Sequence, residues 1–250
     1  MDLELVKKEF DKYVSNYDMK NSNINLKYYH SYKVMDLMKE LADKLNLNDE
    51  EIVVAQVIGL LHDIGRFEQI KKYNIIYDYG TCDHADESVI YLFDKGHIRD
   101  FIKEDKYDEI IKKAIKNHNK KFIDENINDN TELLFSKLIR DADKIDIYRT
   151  YAVNYDLTFS VEEASSDALL NINNGELVDI SLMNNDSNNI LAAMALLFDF
   201  NFDESFDLLV ETDNFDLFLG SIKVEENSEK LWKKLREICF DTINKGVNDN

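Results

Sequence analysis

The sequence predicts an all-α fold, and three observations lead to this prediction. The 250 residues include no proline and only seven glycines, so few residues would interrupt a helix. Apolar residues recur at three- and four-residue spacing along the first 150 residues, as in amphipathic helices. Asn and Asp, which cap helices well, are available to mark the helix ends. The hydrophobic fraction of 44% is sufficient to build a buried core.

The first helices follow directly from this spacing. Leu3, Val6 and Phe10 share one face of an N-terminal helix. A second helix is predicted from about Leu26 to Leu45. Further helices are predicted at about 83–96, 107–118 and 131–149.

The third helix is the most apolar segment of the first half. It begins at Asn48, where Asn48 and Glu51 form a capping-box sequence. It carries the run VVAQVIGLL into His62 and is predicted to break near Gly65. Because it is apolar on most sides, we expect it to be central and buried.

The second half gives a weaker helical pattern, at about 161–171, 188–199, 203–210 and 228–244. Asn174-Gly175 fits either a hairpin turn or a helix end, and the helix end is favoured. No Gly-, Ser- or Pro-rich linker divides the chain. We therefore expect a helical core over 1–150 and a C-terminal helical extension over 151–250 packed on the same unit. The extension could cover a pocket, form a homodimer interface or complete the bundle.

Composition excludes some classes of partner. The formal net charge of −20 disfavours binding to a nucleic-acid polymer, but it is compatible with a small anionic substrate in a local cationic pocket. The longest apolar run, Ile190 to Phe198, is far shorter than a membrane span, and the N-terminus lacks the apolar region of a signal peptide. Two cysteines are too few for a disulfide framework, so we expect a reduced, cytoplasmic setting without membrane partners.

The histidines suggest a metal site. His62 and Asp63 are about 100° apart on a helix, so both can reach one ion where the helix loosens. His30 and a later carboxylate, best placed at Asp143, could complete this site. His84 and His118 could hold a second ion, with Asp63 bridging. Nitrogen and carboxylate ligands without thiolate suit Mn, Fe, Co, Ni or Zn, so one or two such divalent ions are the expected cofactors.

Two alternatives stay open at this point. Any single histidine is more often a core or surface residue than a ligand, and only the ordered set of buried polar residues favours a metal. Asp141 and Asp146 compete with Asp143, although Asp143 falls four residues after Ile139 on the inner stripe of its helix. His97 follows Gly96 in a polar loop and is expected at the surface.

The sequence resembles the HD-domain metal-dependent phosphohydrolase superfamily. The resemblance covers roughly residues 26–150. It rests on His30 and on four motifs, GLLHDIGRFEQ (59–69), DHADES (83–88), KNHNK (116–120) and IRDADKIDIY (139–148). It implies an all-α, HD-domain-like helical bundle whose His-Asp pair binds a divalent metal.

The resemblance also implies a ligand set. His30, His62, Asp63 and Asp143 would form the core site. His84 and His118 match the extra histidines of dinuclear members such as diadenosine tetraphosphate hydrolases. The pair is followed by Ile64-Gly65-Arg66-Phe67 instead of Glu-Asp, which disfavours the guanosine-tetraphosphate hydrolase branch. The Gly-Tyr-Pro signature of cyclic-di-GMP phosphodiesterases cannot occur without proline.

Arg66 and Lys144 are the candidate cations for a substrate phosphate, with Asp63 as the central catalytic carboxylate. The alternative for Arg66 is a surface ion pair with Glu68, and Lys144 has a similar structural alternative. The expected reaction is attack of metal-activated water on phosphorus in a small phosphoester or nucleotide. An HD-fold di-iron oxygenase and a nucleotide-binding regulator without turnover are the competing functions.

Overall fold

The computed structural model describes residues 1–78 and 80–248. Apart from two strands of two residues each, the regular secondary structure that it describes is helical, which confirms the predicted all-α class. The strands β1 (Thr158–Phe159) and β2 (Lys223–Val224) pair in parallel. The α-helices are α1 (Leu3–Val14), α2 (Ser22–Lys44), α3 (Asp49–Leu61), α4 (Ile64–Tyr73), α5 (His84–Val89), α6 (Ile98–Phe101), α7 (Asp108–Asn117), α8 (Asn130–Asn154), α9 (Ser166–Asn174), α10 (Asp186–Ala195), α11 (Asp203–Glu211), α12 (Asn214–Ser221) and α13 (Glu229–Asn248).

Asn and Asp side chains begin several helices, as expected. The carboxylate or amide oxygens of Asp2, Asn21 and Asp83 accept hydrogen bonds from the first turns of α1, α2 and α5. The predicted capping box is confirmed, because Asn48 accepts from the Glu51 amide and Glu51 accepts from the Asn48 amide, both at 3.1 Å. Side-chain capping thus defines these starts without proline.

The chain forms two compact units, Met1–Asp143 and Lys144–Asn250. The boundary falls inside α8, which is continuous from Asn130 to Asn154. In the first unit, α3 packs against α1, α2 and α7. Every residue from Val54 to Leu61 is buried, as expected for a central apolar helix. That 151–250 packs on the same unit as 1–150 stays a prediction.

The predicted helix break near Gly65 is wrong in position. The break lies at His62 and Asp63, and Gly65 is inside α4. A methyl group at Gly65 would lie 2.6 Å from the carbonyl oxygen of His84 and 2.6 Å from the amide nitrogen of Ser88. Gly65 is therefore required for the close approach of α4 to α5, and it does not end a helix.

Other differences are local. The segment predicted at 83–96 is α5 followed by a π-helical turn, Ile90–Asp94, which ends before Gly96. The helix predicted at 161–171 begins later, because Ser165 caps the amides of Asp167 and Ala168. The helices α4, α6 and α12 were not predicted. α6 has only four residues, and α4 and α12 each follow a preceding helix after a two-residue turn.

The second unit has its own core. α10 packs against α9 and β1, and α13 packs against α9 and α11. The rings of Phe159 and Trp232 lie 5.2 Å apart. Gly175 has a φ of 70° and ends α9, which confirms the favoured helix end at Asn174-Gly175. No helix in residues 1–78 and 80–248 is both long enough and apolar enough to span a membrane.

Candidate metal centre

His62 and Asp63 lie at the junction between α3 and α4. The amide of His62 donates to the carbonyl of Ile58 at 2.9 Å, so α3 hydrogen bonding continues to this residue. Asp63 leaves helical geometry with a ψ of 16°, and its carbonyl accepts the amide of Arg66 at 2.9 Å. The junction buries both side chains, which belong to residues no more than 1% exposed.

The other four predicted ligands come from four further helices of the same unit. His30 belongs to α2, His84 begins α5, His118 directly follows α7, and Asp143 lies in α8. The three histidines are buried, and the Asp143 side chain is 16% exposed. Residues that are far apart in the sequence thus meet in one cluster.

The first half-site consists of His30, His62, Asp143 and the Oδ2 atom of Asp63. His30 Nε2 lies 3.0 Å from Asp143 Oδ1 and 3.6 Å from Asp63 Oδ2. His62 Nε2 lies 3.4 Å from Asp63 Oδ2 and 3.7 Å from Asp143 Oδ1. Two imidazole nitrogens and two carboxylate oxygens therefore face one another.

The second half-site consists of His84, His118 and the Oδ1 atom of Asp63. Asp63 Oδ1 lies 3.2 Å from His84 Nε2 and 3.6 Å from His118 Nε2. The two Nε2 atoms are 2.9 Å apart. The two oxygens of Asp63 are thus divided between the half-sites.

Backbone carbonyls orient two of the rings. His62 Nδ1 lies 2.7 Å from the Gly59 carbonyl, and His118 Nδ1 lies 2.6 Å from the Ile115 carbonyl. Because a carbonyl oxygen only accepts, each Nδ1 must carry the hydrogen. In the neutral ring, Nε2 then presents its lone pair to the cluster, which is the usual arrangement of a ligating histidine.

The cluster fits divalent metal ions. Among the described residues, His62 Nε2 and Asp63 Oδ1 are buried and lack a hydrogen-bond partner. An ion bonded to N and O at about 2.0–2.2 Å keeps neighbouring ligands roughly 2.8–3.6 Å apart. The contacts within the half-sites span 2.9 to 3.7 Å. This donor set could hold an ion, and histidine with carboxylate suits Mn, Fe, Co, Ni or Zn.

Residues 28–148 match the family model of the HD domain. This part of the chain is an HD domain. This match supports the resemblance to the HD-domain metal-dependent phosphohydrolase superfamily that the sequence motifs indicated. No curated protein and no solved structure matches the chain.

Charge in the HD domain centre favours cation binding. Burial alone would lower the pKa of His62, but the carboxylates of Asp63 and Asp143 outweigh it and raise this pKa to about 10. Burial opposes ionisation of Asp63 as well, yet Lys27, His62 and His84 hold its pKa well below the usual range. The carboxylates of the centre therefore stay ionised, and they favour the protonated, positively charged form of His62.

The pKa of His118 is shifted in the opposite direction to that of His62. Burial, together with the neighbouring His84 and His62 rings, lowers the pKa of His118 to about 4, although Asp63 opposes the shift. A neutral His118 has the lone pair that ligation requires.

Lys27 is a cation of the centre that we did not predict. Its Nζ lies 2.6 Å from Asp63 Oδ2, and its side chain is 14% exposed. Lys27 precedes His30 by three residues, so both share one face of α2. That i,i+3 spacing is a signal from which sequence reasoning could have found it.

The two predicted phosphate-binding cations have different surroundings. Arg66 Nη1 donates to Asp78 Oδ1 at 2.6 Å, and Arg66 Nε lies 3.8 Å from Asp63 Oδ1. The alternative partner Glu68 instead accepts from the Tyr17 hydroxyl at 2.6 Å. In the second unit, Lys144 Nζ lies 2.6 Å from Asp199 Oδ2. A role for Lys144 in catalysis stays a prediction.

The competing aspartates and the fifth histidine lie elsewhere. Asp146 accepts from Arg149 Nε at 2.6 Å, and Asp143 belongs to the cluster. Asp141 is buried, and among the described residues it is in none of the groups that could hold a metal. The His97 side chain is 42% exposed, in line with the expected surface position, and pairs with Asp100 at 2.9 Å.

Proposed function

We propose that the protein is a metal-dependent phosphohydrolase that acts on a small phosphoester or nucleotide. Its metal ligands would be His30, His62, Asp63 and Asp143 in the first half-site, with His84 and His118 completing the second. Asp63 would bridge two ions. The observation that carries this proposal is the division of the Asp63 oxygens between the two half-sites.

A divalent ion held here would supply Lewis acidity, making water a nucleophile near neutral pH and withdrawing charge from a phosphoryl oxygen. The protein must also provide donors for the charge that develops on phosphorus-bound oxygens. Arg66 is suited to this role, because its Nε is buried and lacks a hydrogen-bond partner among the described residues. Its Nη1 is already fixed by Asp78, so the guanidinium is oriented in advance.

Lys144 is the second proposed cation. Its ion pair with Asp199 is mostly buried, with side-chain exposures of 8% and 26%. A phosphate contact by Lys144 would require this pair to open or to be shared with the substrate. Arg66 is therefore the better supported of the two.

The proposed partner is a small anionic molecule in the cytoplasm, and neither a nucleic-acid polymer nor a membrane. The net charge of −20 supports this choice, since a polyanion would be repelled by most of the protein. A small phosphate ester needs only a few local cations. Lys27 and Arg66 lie at the centre, where Lys27 offsets the Asp63 carboxylate and Arg66 would face the phosphate.

A di-iron oxygenase is the second candidate. Histidine and carboxylate ligands that share one bridging carboxylate suit iron as well as manganese. Metal content and reaction products together separate these functions.

The test combines metal analysis with activity. Protein loaded with Mn, Fe(II), Co, Ni or Zn is analysed for bound metal and then assayed with p-nitrophenyl phosphate, bis(p-nitrophenyl) phosphate and a nucleotide series. We expect one or two ions per chain and release of product from at least one substrate. His62→Ala should lose metal and lower turnover by at least about 100-fold, beyond the usual effect of outer-shell changes.

His97→Ala is the matched control, because this partly exposed histidine lies outside the cluster and its replacement should leave metal content and turnover unchanged. Full activity of His62→Ala would contradict the ligand assignment. Iron-dependent oxygen consumption without hydrolysis would favour the oxygenase. Tight nucleotide binding without turnover in every metal would favour a regulatory protein.

A further inference from the structure

Asp78 lies beside the centre in the segment between α4 and α5, and the motifs did not point to it. Its side chain is 33% exposed, yet within the described part of the chain four different side chains donate to it. They are Arg66, Gln69, His84 and Asn119.

The ring of His84 is in close contact with the Asp78 carboxylate. Asp78 Oδ2 lies 2.7 Å and Oδ1 2.9 Å from His84 Nδ1. A carboxylate only accepts, so Nδ1 of His84 must carry a hydrogen. The lone pair of the neutral ring is then on Nε2, which faces Asp63 Oδ1 and His118 Nε2. Two lone pairs facing each other at 2.9 Å would repel, so the pair must share a cation, which is either a proton or a metal ion.

The same carboxylate also holds the proposed phosphate-binding arginine. Asp78 Oδ1 accepts from Arg66 Nη1 at 2.6 Å and from Gln69 Nε2 at 3.0 Å. Gln69 further donates to the carbonyl of Cys82 at 3.0 Å, so it ties the segment back to α4. Asp78 is thus fixed from one side by α4 and contacts the first residue of α5 on the other.

We infer that Asp78 is a positioning residue that determines binding of the second metal ion, by fixing the tautomer and orientation of His84, and that it orients Arg66 toward the substrate phosphate. This inference rests on the proposed function, because it takes His84 as a metal ligand. Carboxylate partners of ligating histidines commonly change metal affinity by 10- to 100-fold.

The first experiment uses Asp78→Asn, which removes the charge and keeps the side-chain size. Titration with Mn²⁺ should show second-ion affinity lowered about 10- to 100-fold and first-ion affinity unchanged. Electron paramagnetic resonance should show the exchange-coupled signal of two manganese ions in the wild type. The variant at the same Mn²⁺ concentration should give mainly the six-line signal of an isolated ion.

Asp83→Asn is the matched control. Asp83 belongs to the same segment and also accepts from Asn119, but its charge is paired with Lys120 and it has no hydrogen bond to the His84 ring. This variant should keep the coupled signal. If both variants lost the coupled signal equally, second-ion binding would depend only on the net charge near the centre, and the inference would be overturned.

A second measurement requires no variant. In zinc-loaded wild-type protein, ¹H–¹⁵N spectra of the imidazoles should show His84 with its hydrogen on Nδ1. The opposite tautomer would overturn the inference even if Asp78→Asn did not fold. A wild type that binds one ion at the first half-site would also overturn it and leave a mononuclear hydrolase possible. A wild type that binds no ion would remove the proposed function as well.

Discussion

At the scale of single residues, Lys27 neutralises the carboxylate that both half-sites share. Its ammonium lies 2.6 Å from Asp63 Oδ2, inside a protein whose own charge is strongly negative. A buried carboxylate without a cation is costly. Lys27 and a metal ion therefore provide the same compensation for Asp63.

Because Lys27 and a metal ion both compensate Asp63, the effect of Lys27→Met on stability should depend on whether metal is bound. In EDTA, the variant should lower the free energy of unfolding by roughly 1–3 kcal/mol, because Asp63 loses its nearest cation. In excess Mn²⁺ the loss should shrink, since the ion then compensates the carboxylate. Urea unfolding under both conditions measures the difference. Lys33→Met, at an exposed position of α2, is the control, and an equal loss with and without Mn²⁺ would contradict the explanation.

His62 predicts how metal affinity depends on pH. Asp63 and Asp143 raise its pKa to about 10, against the effect of burial, so metal-free His62 carries a proton at neutral pH. An ion must displace this proton, and affinity should therefore rise as the pH rises toward 10. Between pH 6.5 and 8.0 we expect Mn²⁺ to bind at least about tenfold more tightly, for one proton released per ion. Calorimetry in buffers of different ionisation enthalpy measures the proton count, and an affinity independent of pH would disprove this account.

At the scale of elements, the centre depends on how closely neighbouring helices approach. Ser88 on α5 accepts from the Gly65 amide at 2.9 Å and lies 3.0 Å from the His62 carbonyl. A methyl group at Gly59 would likewise lie 2.8 Å from the backbone of Met35 on α2. Glycine at these positions sets the distances between the helices that carry the ligands.

Gly65→Ala should therefore disturb stability and metal binding together. Its new methyl group would meet backbone atoms of His84 and Ser88, which cannot rotate away. We expect a loss of roughly 1–3 kcal/mol in the free energy of unfolding and weaker binding of Mn²⁺. The matched control is Gly220→Ala in α12, where a methyl group meets nothing within 4 Å. Helix propensity predicts that this control gains up to about 1 kcal/mol, so equal effects on stability would refute the packing argument.

At the scale of the whole molecule, α8 belongs to both compact units. Asp143 is the last residue of the first unit, and the helix continues to Asn154 in the second. The HD-domain match also ends within α8, at residue 148. The second unit contains Trp232, the sole tryptophan of the chain, whereas the six predicted metal ligands lie in the first unit.

Removal of the metal should therefore also lower the thermal stability of the second unit. An ion present at 100 times its dissociation constant stabilises the folded state by about 2.7 kcal/mol. Because α8 is continuous across the boundary, we expect EDTA to lower the thermal midpoint reported by Trp232 fluorescence as well as by circular dichroism. A control in EDTA with excess Mn²⁺ should restore both midpoints. A fluorescence midpoint that is the same with and without metal would show that the two units unfold independently.

The sequence was sufficient to predict the all-α class and the HD family, because both depend on local spacing and short motifs. The structure also brings together the six predicted ligands, although their binding of metal stays a prediction. The helix break was misplaced, since a glycine within a helix and a glycine that ends one look alike without knowledge of the neighbouring helix. Asp78 could not be predicted, because it lies in an irregular segment where no periodicity indicates which side chains meet.

The distribution of the ligands among separate helices also fixes an order of events during synthesis. His84, His118 and Asp63 of the second half-site all precede residue 119 in the chain, whereas the first half-site also requires Asp143. A polypeptide leaving the ribosome therefore has every ligand of the second half-site before the first can be complete. Because a metal site rarely exists in an unfolded chain, stable capture of both ions must wait until α8 has emerged and folded. Completion of the first half-site is thus expected to be the later step of metal loading.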